Sequence, residues 1–243
     1  MAKIYKVGGC VRDKLLGVDS KDIDFTFVCE DSNTVEGGWI EMKSLLKFEG
    51  FEIFLETPSC FTIRAKFPKD HKFEGMVADF VMARKEVGYI SGTRQPILEL
   101  GTLEDDLVRR DFTVNAMAED IDGNIIDLFA GMWAFENKIL LTPLNPRETI
   151  LDDPLRLLRA FRFSITKGFT ISPYIMETLL MDSVVEKLEK VVSQERIRDE
   201  VYKMMKHDTL KTLELFNKVR IINPKILEII FGKGLWLKPT TEL

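Results

Sequence analysis

The chain changes its hydrophobic period once, near residues 138–142, and that change limits the folds open to it. Up to that point short runs rich in Phe, Ile and Val alternate with turn residues. After Leu141-Thr142-Pro143 nearly every segment has helical spacing. A strand-bearing domain over 1–138 followed by a helical domain over 139–243 is the predicted organisation. With 45% hydrophobic residues in 243, there is enough apolar surface for a substantial core.

Residues 3–9 read as a strand ending in Gly8-Gly9, and a helix start follows. Glycine lets a ligand approach the backbone, and the free N–H groups of a helix start can hold phosphate. Arg12 adds charge there; an ordinary strand-to-helix turn is the plainer alternative. Next comes Lys21-Asp22-Ile23-Asp24-Phe25-Thr26-Phe27, a strand with acids at alternating positions. Side chains at i and i+2 point the same way, so Asp22 and Asp24 project from one face. Two hard oxygen ligands at that spacing suit Mg²⁺; two solvated acids on an exposed edge are the alternative.

Further along, 34–49 reads as a helix, and 51–56, 60–67 and 76–82 as strands. Asp79 sits inside the third apolar strand, where an acid is costly unless paired or metal-bound. It is a candidate third metal ligand or base, or else an acid on an exposed sheet face. Residues 84–99, with three glycine or proline residues and three basic ones, look like a mobile loop over a site, and a plain surface loop fits the composition equally. In Arg109-Arg110-Asp111-Phe112-Thr113-Val114-Asn115, Asp111 and Asn115 would share a helix face and could hold ribose hydroxyls, while the arginines could meet phosphate. Residues 121–125 read as a hairpin turn.

In the second part, a helix over 152–167 opens with Asp152-Asp153-Pro154. Asp153, Arg156, Arg159 and Arg162 follow at three-residue spacing in a stripe almost purely of arginine, opposite Leu155, Leu158, Phe161 and Ile165. Helices are also expected over 172–191, over 194–206 with Ser193 as N-cap, and in one or two pieces over 208–231.

The net charge of −5 argues against broad nucleic-acid binding, so any such contact falls to local arginine and lysine clusters. No apolar run has the length of a membrane span, and the first residues lack a signal peptide's apolar stretch. Cys10, Cys29 and Cys60 form no C-x-x-C pair and read as reduced thiols of a cytoplasmic protein. His71 and His207 are the only histidines, which disfavours histidine chemistry.

Together these motifs resemble the class II tRNA nucleotidyltransferase and bacterial poly(A) polymerase family of the DNA polymerase β-like superfamily. Four stretches carry the likeness in order: Gly8-Gly9-Cys10-Val11-Arg12-Asp13 with Asp22-Ile23-Asp24; Arg109 to Ala116; Asp152-Asp153-Pro154-Leu155-Arg156 on to Phe163; and Glu195-Arg196. The resemblance implies an α+β fold. A nucleotidyltransferase head with a mixed β-sheet flanked by helices would be followed by an all-α neck and a truncated body. It implies that Asp22 and Asp24 hold Mg²⁺ while a 3′-hydroxyl attacks the α-phosphate of a nucleotide. Gly8, Gly9 and Arg12 would bind the triphosphate, Arg110 the nucleotide, and Asp111 and Asn115 the ribose. Asp153 and Arg156 would read the base, with Arg159 near the phosphates and Glu195-Arg196 bracing the selecting helix. Cytosine and adenine each offer an amine beside an unprotonated ring nitrogen, which a carboxylate and a guanidinium complement; guanine and uracil reverse the pattern. The implied function is addition of C and A to a tRNA or other RNA 3′ end from CTP and ATP. A poly(A) polymerase or A-only enzyme is the nearest alternative, and a non-catalytic RNA-binding module the alternative of another class. The oligomeric state is left open.

Overall fold

A computed structural model describes residues 3–20, 23–89 and 96–232. Asp22 lies outside the described residues, as does the middle of the expected 84–99 loop. The chain divides into two units, Met1–Trp133 and Ala134–Leu243.

The first unit runs β1 (Lys3–Val7), α1 (Gly9–Leu15), β2 (Ile23–Val28), α2 (Val35–Phe48), β3 (Glu52–Thr57), β4 (Thr62–Lys66), β5 (Val77–Met82), β6 (Arg84–Tyr89), β7 (Pro96–Leu100), α3 (Leu103–Val108), β8 (Met117–Glu119), β9 (Ile125–Asp127) and α4 (Gly131–Glu136). A mixed sheet has the order β3-β4-β5-β2-β1-β8-β9; β2 and β5 are parallel and its other neighbours antiparallel. Period-two alternation gives this sheet two different faces. On one, Phe27, Ile63, Phe80 and Met82 pack with Met42 and Leu46 of α2, each at most 1% exposed. Phe25 stacks on Phe80 at 4.8 Å between centroids. Each such side chain contributes about 1.5–3 kcal/mol of burial. The other face carries Asp24, Asp79 and Arg64, which follow one another in register across β2, β5 and β4.

Local signals fix several boundaries. Gly8 caps α1 at φ +74°, a conformation that favours glycine. Thr34 caps α2 by accepting from Gly37 N at 3.1 Å. A capping box between Thr102 and Asp105 starts α3. Two expectations need correcting here. Residues 84–89 and 96–100 pair as a hairpin rather than forming a loop, because Leu98 and Leu100 pack against the main core and Gly101 N donates to Ala83 O. Asp111 and Asn115 do not share an α-helix. Helix α3 ends at Val108, Phe112 is extended and fully buried, and residues 113–115 form a 3-10 turn.

The second unit contains β10 (Ile139–Leu140), α5 (Pro146–Asp152), α6 (Leu155–Lys167), β11 (Thr170–Ile171), α7 (Pro173–Glu177), α8 (Asp182–Lys190), α9 (Gln194–His207), α10 (Thr209–Ile222) and α11 (Pro224–Phe231). It is helical apart from a two-residue parallel pairing of β10 with β11. The helix expected over 152–167 is broken at Asp153 (φ −133°, ψ 98°), because the ring of Pro154 disfavours helical geometry in the residue before it. Asp152 therefore ends α5, a helix whose own signals, Asn145 and Pro146, stand at its start. The expected 172–191 helix is also two helices. A 3-10 turn over Thr178–Leu180 and an extended Met181 separate α7 from α8. Among the described residues no helix is long and apolar enough to cross a membrane.

Candidate active site

In the first unit the site starts from one row across the open sheet face. Val7 pairs with Asp24, Asp24 with Asp79, and Asp79 with Arg64. The strand β1 ends at Val7, so its glycine turn is delivered beside Asp24. A Cβ built on Gly8 would lie 2.7 Å from Arg110 Nη1 and 3.9 Å from Asp24 Oδ2. Gly8, Arg110 and Asp24 are thus in mutual reach, and a side chain on Gly8 would displace the guanidinium. On the other flank, Asp79 accepts from Arg64 Nε at 2.6 Å and Nη2 at 2.8 Å. An open hollow of about 260 Å³ is lined by Ile23, Asp24, Phe54, Arg64, Val77 and Asp79. A larger hollow of about 800 Å³ in the same unit lacks Asp24 and Asp79; its polar lining includes Asp19, Ser20, Lys72 and Glu119, the last paired with Lys6 and Lys14. Size and chemistry disagree here, and the adjacent Asp24 and Asp79 mark the better candidate.

Behind the row lies Asp106 of α3, fully buried. It accepts from Thr26 Oγ1 at 2.8 Å, from Arg110 Nη2 at 2.8 Å and from Arg109 Nη2. Thr26 is two residues beyond Asp24 on β2, so Asp106 links the acid-bearing strand to the arginine beside Gly8. Burial opposes its charge, but the Arg110 and Arg109 guanidiniums outweigh burial. With hydrogen bonds from Arg110 and Thr26 they hold the carboxyl at about 2 instead of 3.8. The spacing of Asp106 three and four residues before the two arginines was a local signal for this cluster.

A second network joins the glycine turn to the expected ribose pair. Arg12, Asp111 and Asn115 are all buried. Arg12 donates to Asp13 and, through Nη1, to Asn115 Oδ1. Asn115 Nδ2 donates to Asp111 Oδ1 at 2.8 Å, and Phe112 N donates to the same oxygen at 2.8 Å. The expected pair is therefore together, through a 3-10 turn rather than a helix face. Arg12 is placed as the tie between α1 and that pair.

In the second unit, Asp153 sits at the α5–α6 corner. Its Oδ1 accepts from Leu155 N at 3.1 Å and its Oδ2 from Arg196 Nη2 at 2.9 Å. Arg156 Nη1 donates to Thr149 O at 3.1 Å, and its Nη2 lies 3.4 Å from Asp152. Arg162 Nε donates to Glu200 Oε2 at 2.5 Å, and Arg159 lies 3.8 Å from the same carboxylate. Lys187 donates to Leu151 O and Asp152 O, both at 2.8 Å, and so braces the corner. Glu200 and Lys187 had no mark in the sequence, since each acts on residues at least 35 positions away.

Among the described residues no group of three or more His, Cys, Asp or Glu side chains is arranged to hold a metal ion. What they do offer is Asp24 beside Asp79, two hard carboxylates bordering an open hollow, and that donor chemistry fits a divalent cation. The three cysteines are free thiols.

Residues 4–141 match the poly(A) polymerase head domain family. The chain is 33% identical over 211 residues to a tRNA nucleotidyltransferase of Schizosaccharomyces pombe, covering 84% of this chain and 43% of that protein. It is 34% identical over 236 residues to an A-adding tRNA nucleotidyltransferase of Aquifex aeolicus, covering 95% of this chain and 26% of that one. A solved structure of a tRNA-processing enzyme with CTP superposes with a TM-score of 0.70 at 29% identity, covering 98% of this chain and 57% of that chain. The chain therefore spans less than half the length of these two curated relatives. With the match extending over more than half of its residues, the chain belongs to the poly(A) polymerase head domain family.

Proposed function

We propose that this protein is a template-independent ribonucleotidyltransferase that adds C and A to tRNA 3′ ends from CTP and ATP with Mg²⁺. The observation that carries the reading is the placement of Asp24 between the Gly8–Arg110 contact and Asp79 on one open sheet face. Asp24, with Asp22 two residues before it, would hold the Mg²⁺. Bound there, the metal would supply Lewis acidity at the attacking and leaving oxygens of an in-line displacement.

The chain's own residues do the rest. Backbone at Gly8 and Gly9 admits the triphosphate closely, and Arg110, held in place by Asp106, supplies a guanidinium to it. The Arg12–Asn115–Asp111 network presets the ribose-holding pair before a nucleotide arrives. Asp79 is the third carboxylate, available to share a cation or take the hydroxyl's proton once Arg64 yields an oxygen. Asp153 keeps acceptor capacity on both oxygens, since a carboxylate has about four lone-pair sites and one donor to each oxygen is seen. It could receive the amine of C or A, with Arg156 donating to the ring nitrogen. Uracil or guanine would leave two hydrogen bonds unmade at about 1–3 kcal/mol each, which amounts to roughly a hundredfold discrimination or more.

A second reading, addition of A only, is favoured by the A-adding relative at 34% identity. Incubation with tRNA lacking CCA and single labelled nucleotides decides between them. Incorporation of CMP and then AMP is expected. AMP alone selects the second reading, and no incorporation, or equal use of G and U, overturns both.

A further inference from the structure

We propose that Phe54 is a stacking platform for the base at the 3′ end of the RNA that receives the nucleotide. This rests on the reading above and names how the second substrate of that site is gripped.

The strand β3 is the edge of the sheet, and its pairing with β4 slips by one residue. Ile53 faces Ala65 and Leu55 faces Arg64, which leaves Phe54 as the extra residue of a bulge. The bulge decides which face receives the apolar side chains. Ile53 packs into the core beneath the sheet, and Glu56 pairs with Lys43 of α2 on that same covered side. Phe54 and Leu55 together oppose Arg64, whose next partner in register is Asp79. A regular ladder would have put Leu55 on the covered face and left Phe54 alone on the open one. The bulge instead places both on the side of the carboxylates, where they are 48% and 49% exposed. Val77, at the start of β5, is 37% exposed and completes the apolar rim of the hollow that holds Asp24 and Asp79. Sheet edges are ordinarily protected by charge or proline, so two adjacent large apolar residues there invite a ligand.

The occupant follows from position and charge. In order across the face stand the glycine turn, Asp24, Asp79, Arg64 and Phe54. In-line transfer brings the attacking hydroxyl and the departing pyrophosphate to opposite sides of the phosphorus. With the triphosphate on the Gly8–Arg110 flank, the hydroxyl enters from the Phe54 flank. Single-stranded RNA is gripped by stacking its bases on aromatic faces while cations track its backbone. Lys66 Nζ lies 5.7 Å from the Phe54 ring centroid and pairs with the exposed Glu52 across the edge, and so stands where the preceding phosphate would run. The platform is indifferent to base identity, which suits an end that changes as it grows.

The test compares the full chain with Phe54→Ala and Phe54→Tyr in steady-state transfer, with anisotropy of a labelled single-stranded RNA in parallel. Phe54→Ala is expected to raise the primer KM and weaken RNA binding about tenfold, with the KM for CTP and the Tm unchanged and Phe54→Tyr near wild type. Unchanged primer KM and RNA affinity in Phe54→Ala overturn the platform, as does an equal rise in the KM for CTP. A dimer that dissociates on Phe54→Ala also overturns it, since the edge would then serve a second copy. If the wild type transfers no nucleotide, the functional reading fails, and the anisotropy still decides the platform.

Discussion

Each unit buries one carboxylate beneath two arginines, and the two arrangements differ in reach. In the first unit Asp106 takes Arg109 and Arg110 from three and four residues ahead on its own helix end, and Thr26 from the sheet. In the second, Glu200 of α9 takes Arg159 and Arg162 from α6, about 40 residues earlier. Exposure does not separate them: the carboxylates are 0% and 4% exposed, and Arg109 and Arg159 are each about one-third exposed. Contact does: Arg109, Arg110 and Thr26 all donate to Asp106, whereas Arg162 donates to Glu200 and Arg159 stands 3.8 Å from it. Tight bonding suits a site that must hold one arginine beside one glycine turn. A looser cluster lets an arginine shift, which suits the base recognition proposed for that helix.

The largest effect that can break this contrast is Asp106→Asn. It leaves two guanidiniums around a site with no compensating charge, so unfolding measured by denaturant should lose about 3–5 kcal/mol. Nucleotide KM should rise with it, because Arg110 loses the group that aims it at Gly8. Glu200→Gln should cost less, about 2 kcal/mol, because Arg159 stands 3.8 Å from the carboxylate and a neutral amide still accepts from Arg162. Its mark should instead be weaker discrimination of CTP from UTP in competition assays. If the two variants cost the same stability, the distinction between tightly and loosely bonded clusters fails.

Acid titration sharpens the same point. Asp106 has a depressed pKa in the fold, so its stabilisation is complete above the ordinary carboxylate range and is lost as pH falls toward about 2. The depression from 3.8 corresponds to about 2 kcal/mol. Stability followed from pH 5 downward should therefore fall more steeply in the wild type than in Asp106→Asn, the difference between the two curves amounting to about that figure.

How much of this was legible in the sequence follows the same division between near and far. The strands β2 and β5, the capped helix α2 and the Gly8 turn are written in local alternation and caps, and the structure has them. The α6 arginine stripe was visible, but its counter-charge was not, because Glu200 meets it only through the packing of α9 on α6. Arg12 and Asn115 are 103 residues apart, so their bond depends on the register of the whole sheet. Arg109 and Arg110 were read as phosphate ligands while Asp106, in the same stretch, went without a role; burial turned it into their common partner. The bulge at Phe54 is a property of pairing, and no residue in β3 announces it.

The central claim is that Asp24 anchors nucleotidyl transfer on the open sheet face. Its most direct test is transfer of labelled CMP and AMP to tRNA lacking CCA by wild type and Asp24→Ala, with RNA affinity measured on the same preparations. The expected result is transfer by the wild type, none by the variant, and RNA binding by both. Transfer that survives in Asp24→Ala, or a wild type that binds RNA and transfers nothing, would contradict the account.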